Sequence, residues 1–234
     1  YYLGIYSLAL KIGIIVHIII NSILFGWEPY FLSNLKNKNL ALNLNLMLKI
    51  TIFIGFILLF FFNLTGEYII LFLGNEDYIE AKFYILPIVV GIVFQELYRI
   101  SISGILEAKK VYWFTIAQFI CLIFFLLAIF LFKNFINLKI IVLIICINYF
   151  IRFIFLSIIS NNVSKIKINF IQLTSILTIY FSLFLIIYYF NVFSLSEFLN
   201  FFLITILSLV ILIVYLNSTE LKIIKKILLN FTSK

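Results

Sequence analysis

A chain of 234 residues that is 65% hydrophobic and only 11% charged, with a mean hydropathy of +1.26, is far more apolar than the roughly 45–50% of a soluble domain. It reads as an integral membrane protein. The formal net charge of +8 (17 Lys and Arg against 9 Asp and Glu) is scattered over short loops between apolar runs; this distribution gives membrane topology signals and no basic stripe, so nucleic acid is excluded as a partner.

Polar punctuation divides the chain into seven apolar runs, each about long enough to span a bilayer. They are about Leu3–Leu32, Leu46–Leu73, Ala81–Leu106, Val111–Phe132, Leu138–Ser160, Phe170–Phe190 and Phe198–Leu216. The expected fold is all-α, a polytopic transmembrane bundle over residues 1–217, with antiparallel neighbours because the connections are short. The chain begins Tyr1-Tyr2-Leu3-Gly4 without a basic n-region or a cleavage motif, so no signal peptide is read and the start is expected to be an internal break. Seven spans put the termini on opposite sides. Thirteen Lys and Arg fall on one side and three on the other, with Lys11 inside the first run; the positive-inside rule predicts an external N-terminus and a cytoplasmic C-terminus. Residues 218–234 carry Ile224, Ile227, Leu228 and Phe231 at helical spacing beside Lys222, Lys225 and Lys226. This pattern predicts a basic amphipathic tail on the inner leaflet, or a tail that binds a partner.

Ionisable groups at membrane depth are the functional candidates, since each is costly unless it faces protein or water. In the first run His17, Asn21 and Glu28 share one stripe at 100° per residue, together with Tyr6, and Lys11 lies on a neighbouring stripe. His17 either bonds a neighbouring helix or carries chemistry, and Lys11 either snorkels to the interface or lines a cavity. Trp27 and Tyr30 read as interfacial anchors, and Pro29 is expected to bend or end this helix. In the third run Glu96 and Arg99 are three apart and predicted to pair, Ser103 and Glu107 continue their stripe, and Pro87 with Gly91 is expected to kink or break the helix. In the fifth run Asn148 and Arg152 are four apart, and Arg152 is near enough to the end to snorkel. Cys121 and Cys146 read as small hydrophobes. One His and two isolated Cys make no zinc site, no GxSxG, HExxH or P-loop is present, and the external loops are too short to cradle a glycosyl acceptor. Neither an enzyme nor a metal or other cofactor is expected.

Gly4-Ile5-Tyr6-Ser7-Leu8-Ala9, Trp27-Glu28-Pro29-Tyr30-Phe31, Tyr78-Ile79-Glu80-Ala81 running into Tyr84 and Pro87, and Ser103-Gly104 ahead of Lys109-Lys110 together resemble the polysaccharide-biosynthesis flippases. These are the O-antigen and lipid-linked oligosaccharide exporters of the multidrug/oligosaccharidyl-lipid/polysaccharide superfamily. The resemblance covers nearly the whole chain in helix order and spacing, with its motifs between Gly4 and Lys110. It departs at the Gly-rich turn expected before Leu138, which is absent, and it finds no first lobe.

The resemblance implies a bacterial inner-membrane transporter of two lobes, this chain being the C-terminal lobe and an N-terminal lobe its missing partner. It implies alternating access for a polyprenyl-diphosphate-linked glycan, whose diphosphate would be held by Lys11, Arg99 and Arg152. Proton or sodium coupling would fall to His17, Glu28 and Glu96, and a glycan polymerase or glycosyltransferases would be further partners. A cation-coupled drug exporter and a non-transporting membrane component of a polysaccharide-assembly complex are the rival expectations.

Overall fold

The computed structural model describes the backbone of residues 1–35, 37, 39–190, 197–216 and 219–221, and the side chains of these except at 181, 183–190 and 197–203. The elements are α1 (Tyr2–Ser33), α2 (Leu40–Leu73), a 3₁₀ turn (Glu76–Ala81), α3 (Lys82–Glu107), α4 (Tyr112–Phe132), a second 3₁₀ turn (Lys133–Phe135), α5 (Leu138–Val163), α6 (Phe170–Phe190) and α7 (Glu197–Tyr215). No strand occurs among the described residues, so the fold is an all-α bundle. Five of the helices, α1 to α5, are long and apolar enough to cross a membrane; the described parts of α6 and α7 are shorter apolar helices, Phe170–Tyr180 and Ile204–Tyr215. The amphipathic pattern expected beyond Leu221 lies outside the described residues.

Of the bend or end expected at Pro29 and the kink or break expected at Pro87, termination does not occur at either. Pro29 is accommodated inside α1, which runs one further turn to Ser33, and Pro87 sits in the second turn of α3, which continues unbroken to Glu107. Each proline removes the hydrogen bond that its nitrogen would give to the carbonyl four residues back, Phe25 in α1 and Phe83 in α3, and each helix continues past that gap.

The helix α3 lies at the centre and packs against α5, α2 and α1. Apolar burial provides no driving force between helices in lipid, so close approach depends on small residues. A methyl group added at Gly13 of α1 would sit 2.6 Å from Ile88, and one at Gly55 of α2 would sit 2.6 Å from Val93; these glycines let both helices press onto α3. α3 ends in a Schellman motif. Lys110 N–H donates to the Ile105 carbonyl and Lys109 N–H to that of Leu106, while Lys109 takes φ 54°, in the left-handed region usually given to glycine. On the other side of α5, α4 buries only Ala117, Cys121 and Ala128, so Phe119, Ile123, Leu127 and Phe130 point outward as lipid-facing residues do.

Candidate functional site

The stripe on α1 and the stripe on α3 meet. Glu96, wholly buried, receives a hydrogen bond from each side: His17 Nδ1 is 2.7 Å from Oε1, and Arg99 Nη1 is 3.1 Å from Oε2. Arg99 then spans the α1–α3 contact. Its Nη1 also donates to Asn21 Oδ1 at 2.6 Å and its Nη2 to Glu28 Oε1 at 2.9 Å. The fork of the guanidinium makes this possible, because its N–H groups diverge in one plane and reach acceptors on two helices at once. One turn towards the same helix ends, Trp27 Nε1 donates to Ser103 Oγ at 3.4 Å, and Glu107 accepts from the backbone N–H of Lys165 at 3.3 Å.

The network is graded in exposure. The Glu96 carboxylate is sealed, Arg99 is 29% exposed and Glu28 is 59% exposed. Two carboxylates face one guanidinium, so the cluster carries one surplus negative charge when His17 is neutral and none when His17 is protonated. An ionised group at membrane depth is tolerated where it faces protein or water, and the exposed edge of this cluster is formed by Arg99 and Glu28.

Beside the network a groove of about 260 Å³ opens between α1, α3 and α5, lined by Tyr6, His17, Pro87, Gly91, Gln95 and Tyr149 among others. Cys146 also lines it, whereas Cys121 is buried elsewhere. Arg152 stands apart from the ion network. Its guanidinium lies 5.2 Å from the ring of Tyr98 and 5.6 Å from that of Tyr149, within cation–π range, and its buried Nε has no hydrogen-bond partner among the described residues. The carbonyl of the Asn148 side chain is likewise buried and unpartnered there. Lys11 is exposed and makes no hydrogen bond or ion pair among the described residues.

Of the six candidates, then, His17, Glu28, Glu96 and Arg99 are brought into one network, Arg152 reaches the same groove through Tyr149, and Lys11 joins neither. Asn21, on the predicted α1 stripe, is a direct partner of Arg99. A second buried ion pair joins Lys49 to Glu220; no spacing in the sequence signals it, because the partners are 171 residues apart. No group of three His, Cys, Asp or Glu among the described residues is arranged to hold a metal ion.

These features define an all-α bundle of long apolar helices, as in a multi-pass membrane protein, with a charged cluster that runs from the middle of α1 at His17 towards its end at Glu28. Comparison with known proteins adds no relative: no family model, no curated protein and no solved structure matches the chain.

Proposed function

We propose that this chain is one lobe of an alternating-access transporter that moves a polyprenyl-diphosphate-linked glycan precursor across a bacterial cytoplasmic membrane. In this reading seven helices span the bilayer, with the N-terminus of the chain outside and its C-terminus in the cytoplasm. The observation that carries the reading is the exposed, charged edge of the α1–α3 network. Arg99 and Glu28 reach the surface at membrane depth, with Lys11 exposed on the same helix, and such a face needs water or a polar partner opposite. A second lobe supplies that partner, and the space between the lobes is the transport cavity.

Arg99 then has a defined task. With the cavity empty, its charge is balanced by Glu96 and Glu28. An incoming diphosphate displaces the exposed Glu28 and takes a bidentate contact that a lysine ammonium cannot reproduce, while the sealed Glu96 keeps the guanidinium in place. Arg152, held between two tyrosine rings without a carboxylate, is the further cation for that anion.

The test is made in the complete transporter, with the N-terminal lobe co-expressed in a flippase-null host. Arg99→Lys is expected to cut surface glycan by at least about tenfold per molecule of inserted protein, whereas Glu96→Gln leaves more export per molecule. Equal loss of inserted protein and of glycan in both variants would end the substrate role of Arg99. One observation favours a second reading: the surplus carboxylate suits a cation-coupled exporter of cationic drugs. That reading expects drug resistance, and not surface glycan, to depend on Glu28.

A further inference from the structure

The ammonium of Lys49 on α2 is fully coordinated. Its Nζ lies 3.0 Å and 2.8 Å from the two carboxylate oxygens of Glu220 and 3.0 Å from the carbonyl oxygen of Tyr215. An ammonium has three N–H donors, so each finds one acceptor. Both side chains are sealed, Lys49 at 0% and Glu220 at 1% exposure. Tyr215 is the last residue of α7, and its carbonyl is one of those that a helix end leaves without an intrahelical donor. Lys49 therefore caps α7 from another helix, at the negative end of the helix dipole.

The surroundings explain why such a cap is needed. Around it α2 and α7 touch through Leu46, Leu212 and Leu216. Leucine against leucine fixes neither register nor depth when lipid is as apolar as the side chains. The neighbouring turn of α2 is also used for docking: Asn45 donates to the Lys167 carbonyl and accepts from Asn169 N–H.

We propose that Lys49 and Glu220 form a sealed latch that sets the register of α7 on α2 and holds residues 219–221 against α2. Its role is positional: without Glu220 the sealed Lys49 ammonium keeps only the Tyr215 carbonyl among its observed acceptors, and a buried ammonium without its carboxylate is strongly unfavourable. The proposal does not depend on what is transported.

The experiment uses the full chain in membranes, with Cys121 and Cys146 replaced by alanine. A cysteine pair at Leu46 and Leu212 reports the α2–α7 seat, and a pair at Ala117 and Leu156, whose side chains cluster between α4 and α5, serves as the distant control. Disulfide yield is normalised to inserted protein. With the latch intact, both pairs are expected to cross-link. Glu220→Gln and Lys49→Met are each expected to lower the α2–α7 yield by about fivefold or more while sparing α4–α5. Two outcomes overturn the proposal: undiminished α2–α7 yield in both single variants, or equal loss at the α4–α5 pair.

Discussion

Lys49 and Arg99 are both cations carried on apolar helices, and each meets a carboxylate about 3 Å away, but they do so in opposite surroundings. Lys49 has three acceptors for three donors and no contact with the exterior. Arg99 is shared among Glu96, Glu28 and Asn21, and one side of it stays open. A sealed pair that satisfies every donor has nothing left to offer a ligand, and its loss is felt by the fold. An open network with a replaceable partner has little to contribute to stability and can exchange that partner for a ligand. The difference separates a charge that holds the protein together from one that can work.

Substitutions graded by burial would break or sharpen this contrast. Lys49→Met is expected to be the most damaging, at about 3–5 kcal/mol, because it breaks a sealed ion pair and takes the Lys49 donors from both Glu220 and the Tyr215 carbonyl; replacing both, Lys49→Met with Glu220→Leu, should return most of the loss, read as the melting temperature in detergent. Glu96→Gln comes next. It removes a charge from a sealed position that bonds both His17 and Arg99, and about 1.5–3 kcal/mol is expected, the range for hydrogen bonds to charged groups. Arg99→Lys keeps the charge and sacrifices the fork at a site partly open to solvent, so about 1 kcal/mol or less should register in the same melting experiment. The exposed pair of Lys82 and Glu67, 2.9 Å apart with both side chains well over a third exposed, sets the floor. Glu67→Gln should change stability by about 0–0.5 kcal/mol, and added salt should reduce even that. If Arg99→Lys proved as destabilising as Lys49→Met, the distinction drawn here between the two clusters would fail.

Periodicity alone was enough to read the two polar stripes from the sequence. Helical spacing aligned His17, Asn21 and Glu28 on α1, and the three-residue step joined Glu96 to Arg99, so both halves of the network were readable before their contact was known. The contact itself was not, because nothing in a periodic pattern says which helix faces which. The partner of Lys49 was hidden for a related reason. Lys49 lies near the start of an apolar run, where a lysine usually snorkels, and its partner is 171 residues away in a segment whose basic residues outweigh its one glutamate. Lys11 and His17 are under two helical turns apart, yet only His17 bonds α3, on a helix whose Gly13 lies against Ile88. The prolines did not mark helix ends, because one missing N–H leaves the rest of a long ladder to carry α1 and α3 past it.

The central position of α3 also bears on how the protein is made. Among the five long helices, α3 with its preceding turn is the least apolar. Each charge at the centre of a nascent span costs about 2.5–3.5 kcal/mol during insertion, so Glu96 and Arg99 make this a poor segment to insert alone. It is not synthesised alone: α1 and α2 precede it on the ribosome. His17, Asn21 and Glu28 are therefore at membrane depth when α3 emerges, ready to take its carboxylate and guanidinium as it enters. The order of helices along the gene is thus itself an assembly instruction, with the helix that carries the site arriving after the helix that neutralises it.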